Sequence, residues 1–343
     1  MLHRLFAIAL CLGCTALFSG CLEVTTSTIA YEDGSLVRAI SMTGDSTKVR
    51  TGPFPFHFDE SWKISRKALG DGRERVRAEK RFANADAMNK KLRGRGNRLE
   101  VHARYENRFD WFYTIHSYEE TWKRFDPFNA VPLSDFLTPE EIDALQRTDT
   151  DDDAKHGRSD SLMLENAENH FELWRQRNLF ESFYLILEKG IRRVTYPELT
   201  IERLRAMKET LFVQCIDALE ESQSATLPDN VGGLLATPAA RAALAANEDE
   251  LRKFDEKKFY LKSIMEHSYT TRLRMPGMLQ STNSRIVKGS MCEWKDFIGS
   301  IMIGDYSMRA ESRSLNWSFV ILCALLALAA LGVLLRYALR RRA

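Results

Sequence analysis

No catalytic signature runs through this sequence. It holds no HExxH pair, no nucleophile elbow and no phosphate-cradling P-loop, and its CxxC (Cys11 to Cys14) lies in the leader, outside the body of the chain. The fragment Gly94-Arg95-Gly96-Asn97 lacks the third glycine and the strand-to-helix setting of a dinucleotide loop. His57, His102, His116, His156, His170 and His267 fall at no metal-ligand spacing. These absences exclude the common local active sites and leave only a constellation assembled in space. The chain therefore reads as non-enzymatic and without a cofactor. Charge of one sign is missing too: a net +2 over 343 residues is no nucleic-acid signature.

What is present begins with an address. Arg4, with His3 beside it, forms a short basic start, and Leu5 to Phe18 is nearly unbroken in its apolarity. Ser19 and Gly20 then precede Cys21. This stretch resembles the lipobox of bacterial lipoproteins, with Phe18 in place of the usual aliphatic residue; the resemblance implies a signal over 1–20 and lipidation of Cys21. At the other end, Trp317 to Leu335 carries no charge and is long enough to cross a ~30 Å hydrocarbon core as a helix. Trp317 marks one interface, while Arg336, Tyr337 and Arg340 to Arg342 mark the other, a positive-inside arrangement. A transmembrane helix at 315–337 and a cytoplasmic basic tail at 338–343 follow. The expected location is the bacterial cytoplasmic (inner) membrane, with the bulk of the chain, from Cys21 to about Asn316, on its periplasmic side. Cysteine is scarce. Of six, Cys11 and Cys14 leave with the signal, Cys21 is the lipid site and Cys323 is intramembrane. Cys215 and Cys292 remain, and an oxidising compartment permits either a disulfide between them or two free buried thiols.

Between the anchors the hydrophobic period changes twice. Residues 21–133 read as strands, with hairpins turning at Asp33-Gly34 and at Gly70-Asp71-Gly72. The aromatic stretch 97–125 reads as one or two long strands. Phe109, Trp111, Tyr113 and Ile115 alternate with Phe112, Thr114, His116 and Tyr118, which suggests a strand covered on both sides. Residues 134–267 read as helices. Thr138 caps one, followed by Pro139; a second runs from Asp160 to about Arg193, and Pro197 opens a third. A fourth starts at Thr237-Pro238 and runs to about His267, with Leu244, Leu251, Phe254, Leu261 and Met265 at a/d spacing and Asn247 and Lys258 as polar interruptions. It reads either as a coiled-coil-like arm or as helices lying flat on a sheet. Strands return over 268–313. The fold class is α+β: a mixed or antiparallel sheet built from N-terminal and C-terminal strands, a helical insertion over about 135–267, and a C-terminal transmembrane helix.

The segment MPGMLQSTNSRIVKGSMCEW, through Pro276, Gly277, Asn283, Gly289 and Trp294, is similar to one found in LppM-type bacterial lipoproteins. DWFYTIHSYEETW and LTPEE look like segments of uncharacterised lipoproteins of the same layout. The first resemblance covers 268–313 and leaves out the helical middle. It implies a membrane-tethered domain that binds lipid or another envelope component, and no catalysis. The residues themselves also fit a purely structural role, as turn formers and a core tryptophan.

Two charged stretches remain. Asp149, Asp151, Asp153 and Asp160 stand at positions 1, 3, 5 and 12 of an EF-hand loop, but Ala154 replaces its glycine and Asp160 is shorter than its glutamate. A solvated acidic loop is the leading reading, with Ca²⁺ as the candidate beside it. From Lys63 to Arg108 there are fifteen Lys/Arg against six Asp/Glu, and Arg73, Arg75, Arg77 and Arg81 share a strand face. That face reads as a guarded sheet edge or as a surface for anionic headgroups. The expected function is a membrane-tethered envelope lipoprotein whose partners are membrane lipid and a lipid or protein component of the envelope. The alternatives are a scaffold acting through the helical arm and a hydrolase with a non-local site. Lipid binding predicts a closed apolar cavity beneath the helices, the scaffold an exposed apolar stripe along Leu244 to Met265, and the hydrolase clustered carboxylates or histidines in a cleft.

Overall fold

The computed structural model describes residues 22–51, 58–93, 99–148, 158–194, 196, 199–221, 235 and 237–342. The strands are β1 (Glu23–Ala30), β2 (Leu36–Asp45), β3 (Lys63–Gly70), β4 (Arg73–Phe82), β5 (Val101–Asp110), β6 (Tyr113–Trp122), β7 (Ser268–Arg274), β8 (Met278–Thr282), β9 (Ile286–Lys288), β10 (Met291–Lys295) and β11 (Tyr306–Leu315). The described helices are α1 (Ser46–Thr51), α2 (Ala85–Leu92), α3 (Pro139–Thr148), α4 (Arg158–Arg193), α5 (Ile201–Ala206), α6 (Lys208–Glu221), α7 (Pro238–Ala245), α8 (Glu248–Met265), α9 (Ile298–Ile303) and α10 (Trp317–Arg342). The class is α+β with a C-terminal apolar helix, as the sequence reads.

Strands from both ends of the chain do share sheets, but there are two sheets. One has seven strands in the order β3-β4-β2-β1-β7-β10-β9, the other four in the order β5-β6-β11-β8. β1 runs parallel to β7, Glu23 beside Ser268 and Ile29 beside Arg274, so the helical insertion falls within the crossover between parallel neighbours. β6 and β11 pair antiparallel over their whole length. Inward-facing residues of both sheets, among them Ile40, Val76, Leu273, Trp294, Ala103, Trp122 and Met308, form one core. The chain changes sheet between β7 and β8 at Pro276-Gly277. Gly277 has φ +66°, and a Cβ there would overlap the Arg313 carbonyl. It changes back at Asn283, whose side chain accepts from Arg309 N (2.8 Å) and Trp294 Nε1 (3.2 Å) and donates to Ser307 O (2.7 Å). Pro276, Gly277, Asn283 and Trp294 thus hold the sheet-switching segment together, and Gly289 turns β9 into β10 at φ +64°.

At the centre, the Arg38 guanidinium of β2 bonds both oxygens of Glu120 of β6 (2.7 and 3.0 Å), and Glu120 also accepts from Tyr118 Oη (2.6 Å) and Trp122 Nε1 (2.9 Å). Arg38 further donates to Thr28 of β1 at 2.6 Å. Both charged side chains are at most 1% exposed. Burial works against the charge on Arg38, but Glu120 and Tyr118 together outweigh it and hold its pKa above the ordinary value.

The insertion has its own core of Leu179, Phe183, Leu187, Leu204, Leu211, Leu219, Ala243 and Phe254, among others. α4 and α8 each reach into both cores: Trp174 of α4 and Tyr260, Leu261 and Ile264 of α8 belong to the sheet core. The helices therefore lie on the sheets at one end and extend beyond them at the other. Asn178 fixes the changeover by accepting from Ala130 N (2.7 Å) and Val131 N (3.1 Å) and donating to Asp126 (2.8 Å). Thr138 and Glu141 cap α3 reciprocally.

Three expectations need correction. The fourth helix is two, α7 and α8, broken at Ala246-Asn247. Asn247 is buried, and its amide donates to Ile186 O of α4 at 2.9 Å, so this polar interruption ends a helix where a coiled coil would have continued. The stretch 101–122 is a hairpin, turning at Trp111-Phe112 without a glycine, so neither residue lies in a covered strand. The short helices α1, α2 and α9 fall within segments read as strand or loop.

Two outcomes follow. Replacing Gly190 of α4 by alanine would gain about 0.5–1 kcal/mol on propensity alone. A Cβ at this position overlaps the backbone carbonyl of Ala243, so Gly190→Ala instead loses roughly 1–3 kcal/mol in chemical unfolding. Glu120→Ala, which leaves Arg38 buried and unpaired, costs about 3–5 kcal/mol, whereas Arg38→Met combined with Glu120→Leu costs much less; a double-mutant cycle read by urea unfolding measures both.

Candidate functional site

The candidate site is the root of the apolar helix α10. β11 ends at Leu315, Asn316 follows, and α10 begins at Trp317. The Asn316 side chain accepts from Phe319 N at 3.3 Å, an N-cap, and its own N–H donates to Phe112 O at 2.8 Å. The Phe319 ring meets Phe109, Trp111 and Phe112 of the hairpin at centroid distances of 5.6, 5.8 and 5.3 Å. Beyond this contact the helix leaves the body. Its apolar window Trp317–Tyr337 has a mean hydropathy of 2.8 and no part buried against the protein. It is long and apolar enough to cross a membrane, and its bareness is inconsistent with a helix in a soluble core.

Beneath the root, a buried polar cluster ties three strands. His116 of β6 is fully buried; its Nδ1 lies 2.7 Å from Asn107 Oδ1 and 2.9 Å from Tyr105 Oη, and its Nε2 lies 2.9 Å from Ser314 Oγ of β11. Tyr105 donates its own proton to Tyr31 O, so the network fits a neutral ring with Nδ1–H donating and Nε2 accepting from Ser314. Burial lowers the His116 pKa.

The strand directions place the two ends of the chain. Leu22 is buried, and its carbonyl accepts from Ser268 N at the start of β7. Gly277, just past the end of β7, packs on Arg313 and Ser314 at the end of β11. The chain therefore enters β1 at the end of the sheets opposite the α10 root, roughly 25 Å away at ~3.3 Å per residue. The insertion, which leaves after Trp122 and returns at Ser268, is spliced in at that far end as well.

Cys21 lies outside the described residues, as do Asp149, Asp151 and Asp153; Asp160 falls in the first turn of α4. Among the described residues no group of three His, Cys, Asp or Glu is placed to hold a metal. Cys215 and Cys292 are not joined. Each is a free buried thiol, Cys215 in the helical core and Cys292 in the sheet core, and burial pushes the Cys215 pKa up to about 12. Arg73, Arg75, Arg77 and Arg81 do share the outer face of the seven-stranded sheet, and the registers put Arg272 and Arg274 on the same face. β3, the edge strand beside them, is exposed at all eight positions and carries Lys63, Arg66 and Lys67.

The features that separate the function readings are also in place. Where α4 and α8 meet the sheets, Trp174, Tyr260, Leu261 and Ile264 are buried in the sheet core. Along α7 and α8, Leu244, Phe254 and Leu261 are buried, while Phe259 and Met265 are exposed. A cleft of about 350 Å³ between α4, α6 and α8 gathers Glu172, Glu220 and Glu266, but Arg175 pairs with both Glu172 and Glu220. A wider groove of about 480 Å³ on the four-stranded sheet is lined by Arg104, Ser117, Glu119, Thr282, Arg309 and Glu311, and Arg309 bonds Glu119 across it at 2.7 Å.

No family model matches the chain, and no curated protein matches it. Among solved structures, the NMR structure of the folded domain of the Mycobacterium tuberculosis LppM protein is similar over 87% of this chain and 94% of that one, at a TM-score of 0.29 and 10% identity. The likeness is weak.

Because His116 and His267 are both shifted down by burial, they are neutral in the folded state where the unfolded chain would bind protons. Their contribution to stability is full above the unfolded value of about 6.5 and is lost as pH falls through the folded values. Urea midpoints are expected to fall on acidification below that pH, and His116→Gln to flatten part of the slope.

Proposed function

We propose that this chain is a non-enzymatic, membrane-tethered lipoprotein of the bacterial envelope. α10 spans the cytoplasmic membrane with its arginine-rich end in the cytosol, the two-sheet body lies on the periplasmic side, and Cys21 carries lipid. The body binds an envelope component at its surface. The observation that carries this reading is the bare apolar helix joined to the body through the single residue Asn316, with aromatic side chains packed around its root. Among the described residues, Trp174, Tyr260, Leu261 and Ile264 pack where helices meet sheets, and we place the partner at the surface. That partner is a protein or headgroup reached by the outward helices or the basic sheet face. The scaffold reading has less support in its original form, since most of its expected stripe is buried.

The anchors are tested together. Wild-type chain and Cys21→Ala should both resist alkaline extraction, because α10 holds each. Only Cys21→Ala truncated after Asn316 should be released, and palmitate labelling should be lost wherever Cys21 is changed. Extraction of the Cys21→Ala full chain would remove α10 as an anchor; undiminished labelling would remove Cys21 as the lipid site.

A further inference from the structure

The β5–β6 hairpin turns on two aromatic residues where turns favour glycine, asparagine or aspartate. Trp111 stands at φ +52°, a conformation that bulky side chains rarely adopt. The tip is also exposed: Phe109 by 57%, Trp111 by 67% and Phe112 by 47%. Met278, Leu315 and Trp317, themselves exposed, belong to the same end of the four-stranded sheet and the start of α10. A contiguous aromatic end is an uncommon surface to leave in water.

Continuity identifies its occupant. Phe319, near the start of the span, is in ring contact with all three tip aromatics, so the patch merges into the apolar surface of α10. Whatever solvates the first turn of that helix also reaches the hairpin. The polar groups nearby set the depth. Asp110 opens the turn, Arg108 lies two residues back, and the Arg313 guanidinium stacks over Tyr113 at 4.7 Å. These groups suit the headgroup level, where amphipathic tryptophan rings also settle, and they are unsuited to the hydrocarbon core.

We propose that the β5–β6 hairpin tip is a second membrane contact: Phe109, Trp111 and Phe112 enter the headgroup–acyl boundary of the periplasmic leaflet beside the root of α10, with bilayer lipid as their partner. Together with Trp317 they form an aromatic collar. Two contacts in place of one fix the tilt of the body. This inference rests on the reading of α10 as a membrane span.

The test uses the full chain reconstituted in vesicles of phosphatidylethanolamine and phosphatidylglycerol, with or without lipids brominated near the headgroup end of the acyl chains. Subtracting the emission of Trp111→Phe from that of wild type isolates Trp111; Trp317→Phe isolates Trp317 in the same way. The expected Trp111 emission is blue-shifted, loses most of its intensity to brominated lipid and little to aqueous iodide. Emission that is red-shifted, quenched by iodide and indifferent to bromine, with Trp317 still quenched by bromine, overturns the hairpin contact alone. Indifference of both residues to bromine overturns the membrane-span reading and the contact with it. Combined Phe109→Ser, Trp111→Ser and Phe112→Ser substitutions supply a second readout. The melting temperature should change little, since all three side chains are exposed, while iodide access to Trp317 rises. Unchanged access at an unchanged melting temperature counts against the collar.

Discussion

Two sheets that face one another must be told how to align, because apolar packing alone tolerates sliding along the strands. Here a buried ion pair supplies the instruction. Arg38 bonds both oxygens of Glu120 and reaches Thr28, while Tyr118 and Trp122 satisfy the remaining acceptor positions of the carboxylate. Moving two charges out of water is expensive, and a buried pair is weak support for stability as such. Its value lies in specificity: a one-residue slip of β2 against β1 and β4, or of β6 against β5 and β11, would turn Arg38 or Glu120 to the opposite face and strand the other charge, and sliding one sheet over the other would part the pair. Once β2 and β6 are aligned, β1 and β7 follow through the seven-stranded sheet, and β11 follows through β6. The helical insertion leaves after β6 and returns at β7, so its two roots are set by the same pair. So is the point at which α10 departs.

The sequence disclosed those elements whose signals are local. Asp33-Gly34 and Gly70-Asp71-Gly72 turn hairpins because glycine accepts positive φ, and Thr138-Pro139 starts α3 through its cap. What stayed hidden was decided by distant partners. Asp110 to Tyr113 carries no glycine, and nothing short of the tertiary contact with Phe319 and Asn316 marks Trp111 as a turn residue. Asn247 fits a heptad until Ile186 O claims its amide. The division of the strands between two sheets was equally illegible, since Asn283 joins them through Trp294, Ser307 and Arg309, none of which a local pattern connects. The candidate site divided along the same line. The span of α10 shows in composition, whereas the aromatic end against which it roots requires the fold.

The strand directions constrain how such a body can meet a bilayer. Leu22 and the α10 root lie at opposite ends of the sheets, roughly 25 Å apart along strands rising ~3.3 Å per residue. Leu22 is buried and hydrogen-bonded, so an acyl group on the preceding residue would have almost no slack. If Cys21 is acylated and α10 spans the membrane, as proposed above, both anchors could enter one leaflet only with the strands running along the membrane surface. In that posture the outer face of the seven-stranded sheet matters, because Arg73, Arg75, Arg77, Arg81, Arg272 and Arg274 lie on it together. A basic residue brought near anionic headgroups gains about 1 kcal/mol, while any that faces away from the bilayer remains available to an acidic partner. An upright body held by α10 alone would instead lift the insertion and the N-terminal end away from the surface. On the proposed function, acylation at Cys21 would bear on posture as well as attachment, and posture would decide which of the two exposed surfaces, the basic sheet or the outer helices, a second component of the envelope could reach.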